Sequence, residues 1–364
     1  MAELLKDLFD DRFIHTLAAR TQQAYAPFRA EPFIEQVRKG DWEGAAFKER
    51  IRRISSALAV QLPEVYEESI EIIERVSRHF SGLQHLVFTD FVEIRGLEHP
   101  ERSIAALELL TTGCTAEFAV RPFILRYPER MYRQLMSWTS HANEHVRRLA
   151  SEGCRPRLPW GMSLPPLKRD PSPILGILAA LKEDPSLYVR KSVANNLNDI
   201  SKDHPELVLE LAQSWRGSSP ETDWIIRHGC RTLLKQCRPE ALRFFGFEQP
   251  LSIRVESFQT APREVRMGET VYFTAEIVND SDVPLKLRIE YGIDFVKASG
   301  HRSRKLFKLS ERSFDPGRTS LQGKHSFRTI TTRKHYPGMH RISLVVNGET
   351  AAESEIVLKR EESI

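Results

Sequence analysis

This chain has few of the features that would tie it to a membrane, a disulfide scaffold or a covalent mechanism. Cysteine is scarce, four in 364 residues, and Cys114, Cys154, Cys230 and Cys237 form no Cys-x-x-Cys pair. That spacing argues against a disulfide framework or zinc knuckle, so the thiols are expected to be reduced and mostly buried. No apolar run approaches the roughly 20 residues of a membrane helix; the longest, Ile174–Leu181, has a glycine inside it. Met1-Ala2-Glu3-Leu4-Leu5-Lys6-Asp7 carries acids early and lacks the basic, apolar, small-residue order of a secretory leader. A Walker loop and a Gly-x-Ser-x-Gly elbow are both missing, and neither a metal nor a cofactor is expected. What remains reads as a cytoplasmic protein of ordinary composition, 41% apolar and 28% charged, long enough for two or three domains.

The net charge of +4 is modest, but it is unevenly placed. Lys297, Arg302, Arg304, Lys305, Lys308, Arg312, Arg318, Lys324, Arg328, Arg333 and Lys334 face only Glu311 and Asp315, so 38 residues carry +9 and the rest of the chain −5. Clustering of one sign works against itself unless a polyanion neutralises it, which points to nucleic acid. The alternatives are a solvated basic face and, more weakly, an anionic membrane surface. No amphipathic helix with aromatic anchors supports the membrane option.

Two styles of sequence meet near Gly246–Pro250. Beyond that point the pattern has period two: Ser252–Phe258, Thr270–Val278, Leu285–Ile289, Arg341–Val346 and Glu353–Leu358. Turn signals at Asn279–Asp282, Asp315-Pro316-Gly317, Tyr336-Pro337-Gly338 and Asn347-Gly348 separate the runs, as in an antiparallel sandwich. Before it the chain reads as helices that repeat. An apolar residue followed by arginine recurs at Val120-Arg121, Val146-Arg147, Val189-Arg190 and Ile226-Arg227, and a Pro-Glu pair at positions 100, 128, 205 and 239. Proline then glutamate suits a helix's first turn. The expected fold is therefore multidomain α + β: an all-α HEAT-like repeat solenoid over residues 1–247, then an all-β immunoglobulin-like sandwich over 248–364.

At 100° per residue, Val189, Val193, Leu197 and Ile200 share one face of the best repeat, and Lys191, Asn195, Asn198 and Asp199 the other. One repeat earlier, Val146, Leu149 and Ala150 oppose Glu144, Arg148 and Glu152. Each helix is expected to bury one stripe and show the other, the shown stripes lining a common concave surface. Arg148, Arg155, Arg157, Lys168, Arg169 and Lys191 are candidate phosphate contacts there, with Glu117, Glu152 and Asp199 among them. An acid so placed either orients an arginine or takes part in chemistry. Gly153 is expected to stop a helix, after which Pro156 and Pro159 stiffen a loop that carries Arg155, Arg157 and Trp160. Trp160 either plugs the core or is displayed.

The string Val146-Arg147-Arg148-Leu149-Ala150-Ser151-Glu152-Gly153, then Arg155-Pro156-Arg157-Leu158-Pro159-Trp160, resembles the AlkC branch of the HEAT-like alkylpurine DNA glycosylases. The resemblance spans roughly residues 1–247. The C-terminal part, with Tyr336–His340 and Val346-Asn347-Gly348, resembles the immunoglobulin-like domain that some AlkC proteins carry. It implies an enzyme that cuts the N-glycosidic bond of cationic bases such as 3-methyladenine and 3-methylcytosine in double-stranded DNA, gripping the backbone rather than flipping the base into a pocket. The related AlkD branch flanks its carboxylate with two tryptophans. Here only Trp160 sits in a matching loop, and Trp138, Trp215 and Trp224 are not assignable as a second indole.

The chemistry suits the residues independently. A cationic base already leaves well, so the remaining demand is the oxocarbenium-like sugar, which a fixed carboxylate stabilises and an indole face attracts. Glu117, Glu152, Trp160 and Asp199 are the candidate catalytic residues. Arg302, Arg304, Lys305 and Lys308 are candidate DNA contacts on the sandwich, which is expected to hold the duplex opposite the solenoid. The expected partner is duplex DNA with alkylated bases, with no membrane and no obligate protein partner, for a monomer at the bacterial nucleoid. The competing readings are a non-catalytic HEAT scaffold and a damage-binding protein that does not cut.

Overall fold

The computed structural model describes residues 5–248, 252–329 and 334–360. Met1–Leu4 of the N-terminal string, Pro250 of the expected junction and Arg333 of the basic block lie outside the described residues. The described chain is helical up to Phe244 and stranded from Ile253 onward. It divides into two compact units. One holds the chain up to His204 together with Trp215–Gly229; the other holds Pro205–Ser214 and the chain from Cys230 onward.

These four Pro-Glu pairs open helices, Pro100–Leu110, Pro128–Trp138, Pro205–Trp215 and Pro239–Phe244, and Pro220-Glu221 opens Pro220–Gly229, whereas Pro63-Glu64 precedes the helix Tyr66–Ser77. The proline lacks only an N–H that would be unpaired there anyway, and the glutamate meets the positive end of the helix dipole. Elsewhere side chains cap: Asp10 accepts from Phe13 N–H at 2.7 Å and Asn143 from His145 N–H at 2.8 Å. In the first unit the helix Glu144–Glu152 packs on Leu187–Ile200, which packs in turn on Pro220–Gly229. Val146, Leu149, Val189, Val193 and Ile225 are fully buried between them.

The recurring arginines have a structural role. Arg147 Nη1 donates to the carbonyls of His141 and Ala142, and Arg190 Nη1 to those of Asp184 and Pro185. Each ties down the turn that precedes its own helix. Arg147 also forks onto Asp184, Nε to Oδ2 at 2.6 Å and Nη2 to Oδ1 at 3.1 Å, joining one repeat to the next. Gly153 ends its helix as expected, though not through a left-handed φ: its φ is −60°. A Cβ there would lie 2.7 Å from Val120 Cγ1, so close approach is what demands glycine.

In the second unit, strands β1 (Ile253–Ala261), β2 (Glu264–Arg266), β3 (Thr270–Asn279), β4 (Leu285–Val296), β5 (Arg302–Phe314), β6 (Gly317–Ser326), β7 (Gly338–Val346) and β8 (Glu349–Lys359) build two sheets. Their orders are β1-β3-β6 and β2-β8-β7-β4-β5. All pairs are antiparallel except β2–β8. Val265, Ile293, Phe295 and Ile342 fill one part of the core, and Ile277, Leu287, Ile289 and Leu344 the other. The β7–β8 hairpin turns on Asn347 and Gly348, both at positive φ, as the tight turn between right-twisted strands requires. Most of the basic block lies on β5 and β6, which belong to different sheets, and neither strand is among the period-two runs of the sequence.

Candidate functional site

Glu117 sits in the turn before the helix Val120–Arg126, Arg148 and Glu152 on the helix Glu144–Glu152, Arg155 in the turn beyond it, and Asp199 near the end of Leu187–Ile200. Three repeats thus deliver one ribbon of alternating charge. Arg148 Nη1 lies 2.5 Å from Glu117 Oε2, and its Nη2 3.4 Å from Glu152 Oε1. Arg155 Nη1 reaches the same Glu152 oxygen at 2.6 Å while its Nε donates to Asp199 Oδ2 at 2.8 Å. Lys202 closes the ribbon on Asp199 Oδ1 at 2.9 Å. Three acids and three bases balance.

The expected open stripe is corrected here. Glu152, Arg155, Asn198 and Asp199 are all buried, Asp199 to 1% exposure, whereas Lys191 is exposed. The carboxylates are packed between repeats rather than shown to solvent. Burial works against the charge of Arg148 and of Arg155, but Glu152 holds both, with Glu117 and Asp199 adding to it, and each guanidinium binds its proton more tightly than an ordinary arginine. The ring of Tyr188 lies 5.0 Å beneath the Arg148 guanidinium.

Other residues complete the ribbon without standing out in the sequence. Ser192 Oγ donates to Glu152 Oε2 at 2.6 Å. Thr115 Oγ1 accepts from Arg148 at 2.8 Å and donates to Glu117 Oε2 at 2.9 Å. Asn196 Nδ2 donates to the Ser151 carbonyl at 2.8 Å. Ser192, Asn196 and Asp199 stand at i, i+4 and i+7, a polar seam on a buried helix face, and that seam is the signal that marks them.

The loop after Gly153 is held by Arg121, which is fully buried. Its Nε donates to the Met162 carbonyl at 2.6 Å, Nη1 to Gly153 at 2.9 Å and Nη2 to Arg155 at 2.8 Å. Burial lowers its pKa to about 10. Where Arg147 and Arg190 tie their own turns, this copy of the repeated arginine has been turned to the loop of another repeat. The loop displays Trp160, 66% exposed, which removes the core-plug reading. Trp138 and Trp215 are buried, and Trp224 stacks on His228. Neither buried indole is available beside Trp160.

Arg157 forks onto Asp203, Nη2 to Oδ1 at 2.6 Å. Arg169 is exposed and Lys168 half-buried. On the sandwich, Arg302, Arg304, Lys305 and Lys308 are exposed on β5; Arg304 donates to Ser343 Oγ at 2.9 Å and Thr350 Oγ1 at 2.8 Å. All four cysteines are free, and burial pushes the Cys154 thiol up to about 12, unsuited to nucleophilic work. His141 and His145 stand four residues apart, but His141 Nδ1 accepts from Asn143 N–H and the His145 ring packs edge-on to Tyr188. Among the described residues no group of three or more His, Cys, Asp and Glu is placed to hold a metal, and no helix is long and apolar enough to cross a membrane.

Comparison with known proteins bears on this geometry. A family model described as the C-terminal Ig-like domain of the uncharacterised protein YhaZ matches residues 254–360. YhaZ of Bacillus subtilis (strain 168) is 48% identical over 346 residues, which cover 95% of this chain and 96% of that protein. A solved structure of the Pseudomonas fluorescens alkylpurine DNA glycosylase AlkC, bound to DNA containing an abasic site analog, aligns with TM-score 0.94 at 37% identity, over 98% of this chain and 100% of that one. Similarity of that extent, spanning both the helical repeats and the strands, means that this chain belongs to the AlkC family, in the form with a C-terminal immunoglobulin-like domain.

Proposed function

We propose that this chain is a DNA glycosylase that hydrolyses the N-glycosidic bond of cationic alkylated bases, 3-methyladenine and 3-methylcytosine among them, in duplex DNA and in the bacterial cytoplasm. The observation that carries the reading is the buried ribbon Glu117–Arg148–Glu152–Arg155–Asp199, joined through the Arg121-held loop to a displayed indole. The similarity to AlkC, itself solved on DNA, supports DNA as the partner.

In this mechanism a methylated base leaves as a neutral species, and the positive charge moves to the sugar. A carboxylate locked in a low-dielectric setting stabilises that charge without having to reorganise. Glu152 and Asp199 each have both oxygens engaged, by Arg155 and Ser192 in the one case and by Arg155 and Lys202 in the other. Glu117 is engaged through Oε2, and no bond to its Oε1 occurs among the described residues. We assign Glu117 to meet the sugar or its attacking water, with Glu152 and Asp199 fixing the arginines that fix it. The face of Trp160 is offered to the same developing cation. Arg157, Lys168, Arg169 and Lys191 are assigned to the phosphates of the first unit's DNA contact, and Arg302, Arg304, Lys305 and Lys308 to those of the second. Arg148 and Arg155, enclosed between carboxylates, act by orientation.

The test is base release. The purified chain is incubated with N-methylated duplex DNA, and free 3-methyladenine, 3-methylcytosine and 7-methylguanine are separated by chromatography. Release of the 3-methyl bases supports the reading. Binding without release, beside an active control enzyme, would replace it with a damage-binding protein.

A further inference from the structure

Trp160 occupies a backbone position that its side chain does not favour. Its φ is +62°, left-handed, where residues other than glycine are uncommon. Such a conformation persists when its surroundings over-determine it, and such positions cluster at functional sites. Arg121 holds the loop on either side, at the carbonyls of Gly153, Arg155 and Met162. The Trp160 carbonyl itself is held from another part of the chain. Lys48, on the helix Phe47–Gln61, donates from Nζ to that oxygen at 2.8 Å, across 112 residues of sequence.

The same ammonium lies 4.6 Å from the ring centroid of Phe118, the residue that follows Glu117. Phe47, beside Lys48, sets its ring 6.3 Å from the indole, tilted by 56°. One side chain therefore touches the residue next to the assigned carboxylate and the peptide that carries the assigned indole. Beside it Lys48, Arg52 and Asp90 line a cavity of about 50 Å³, and Asp90 Oδ2 is buried there without a hydrogen bond. The charge of Lys48 is one of those that favour the ionised form of Asp90.

We infer that Lys48 is a positioning residue for Trp160, so that the N-terminal helices, through Lys48 and Phe47, set the aspect of the indole that faces the reacting sugar. The inference rests on the glycosylase reading for its consequence but not for its geometry. An ammonium on a carbonyl fixes the peptide in its left-handed turn, and the indole, having few contacts of its own, follows the peptide. Displacement of a reacting partner by about 1 Å is worth up to about a hundredfold in rate.

The experiment labels the tryptophans with 5-fluorotryptophan and assigns the Trp160 resonance by its loss in Trp160→Phe. Lys48→Met is compared with Lys48→Arg and with Lys39→Met, which removes an exposed charge elsewhere in the N-terminal helices. In Lys48→Met the fluorine resonance of Trp160 is expected to shift or broaden, and single-turnover base release to fall about ten- to a hundredfold. Affinity for duplex DNA with an abasic analogue should stay within about threefold. Lys48→Arg should restore both signals, since a guanidinium also donates to a carbonyl, and Lys39→Met should change neither. An unmoved Trp160 resonance in Lys48→Met overturns the inference. So does a loss confined to DNA affinity, which would make Lys48 a phosphate contact. Should the unaltered chain release no base, the glycosylase reading falls, while the fluorine spectrum still decides whether Lys48 holds Trp160.

Discussion

Arg155 Nε lies 2.8 Å from Asp199 Oδ2, a bond that pins the turn after one repeat to the helix of the next. Both side chains are buried, and neither has water to fall back on. Removing Asp199 leaves Arg155 only Glu152, which Arg148 shares, and a buried charge so left in excess typically costs up to about 3–5 kcal/mol. Asp199→Ala is expected to lower the stability of the first unit by that order in urea unfolding. Asp199→Asn keeps the shape and an acceptor, and should cost clearly less.

The three acids separate by what they leave behind. Glu117→Gln should retain duplex binding and slow single-turnover base release by about a hundred- to a thousandfold, as removal of one preorganised electrostatic group does. Because Glu117 lies at the end of the ribbon, its loss should disturb stability least. Unchanged rates in Glu117→Gln, Glu152→Gln and Asp199→Asn together would dispose of the carboxylate mechanism.

Trp160 offers a cleaner division between stability and activity. Its side chain is largely exposed, so Trp160→Ala should leave unfolding within about 0.5 kcal/mol of the parent while base release falls. Trp160→Gly relieves the left-handed backbone, and should be more stable than Trp160→Ala by up to about 1 kcal/mol. Equal stabilities in the two variants would show that the φ of +62° carries no strain.

His85 and Asp90 make opposite contributions to acid stability. Burial lowers the His85 pKa to about 4 and raises that of Asp90 to about 6. For His85 the unfolded chain binds the extra proton, so its contribution is complete above about pH 6.5 and is lost as pH falls towards 4. For Asp90 the folded chain binds it, so stability grows as pH falls from about 6 towards 3.8. Each effect is worth about 3 kcal/mol, and together they largely cancel. His85→Gln should therefore make the first unit more stable on going from pH 6 to pH 4, and Asp90→Asn less stable. Denaturant titrations at several pH values read the two slopes, and slopes of the same sign in both variants would contradict the account.

The basic strand β5 is tested by salt. Each phosphate neutralised by a side chain releases counterions. Reversing Arg302, Arg304, Lys305 and Lys308 in turn should therefore reduce the slope of log affinity against log salt by about one for every phosphate left without its base. Affinity and slope that do not move would show that β5 does not touch DNA.

Much of this molecule is legible in the sequence where local chemistry decides. Five of the six Pro-Glu pairs mark helix starts because proline and an acid suit that end of a helix. Asn347-Gly348 marks a hairpin because few residue pairs accept its dihedrals. The Glu-Gly-Cys-Arg-Pro-Arg-Leu-Pro-Trp string carries the family resemblance. What the sequence hides is set by neighbours. Asp199 and Asn198 lie opposite the apolar stripe of their own helix, so one helix alone makes them look exposed; both are buried, and Arg155 from the preceding repeat closes on Asp199. Arg121 looks like Arg147 and Arg190 in sequence, and only the tertiary fold turns it to the Trp160 loop. The strands β5 and β6 escape period-two reading because a register shift interrupts the alternation of β5 and because β6 carries Thr319, Gly323 and His325 on its inward face.

The placement of β5 and β6 has a further consequence. Among the described residues β5 ends one sheet and β6 ends the other, so each presents a row of backbone donors and acceptors that no further strand pairs. Such rows recruit strands from other molecules and begin aggregation. Here an incoming strand meets Lys305, Lys308, Arg312, Arg318 and Lys324, and a second copy of this chain would bring the same charges. Whatever else those bases bind, they keep copies of the sandwich from joining edge to edge.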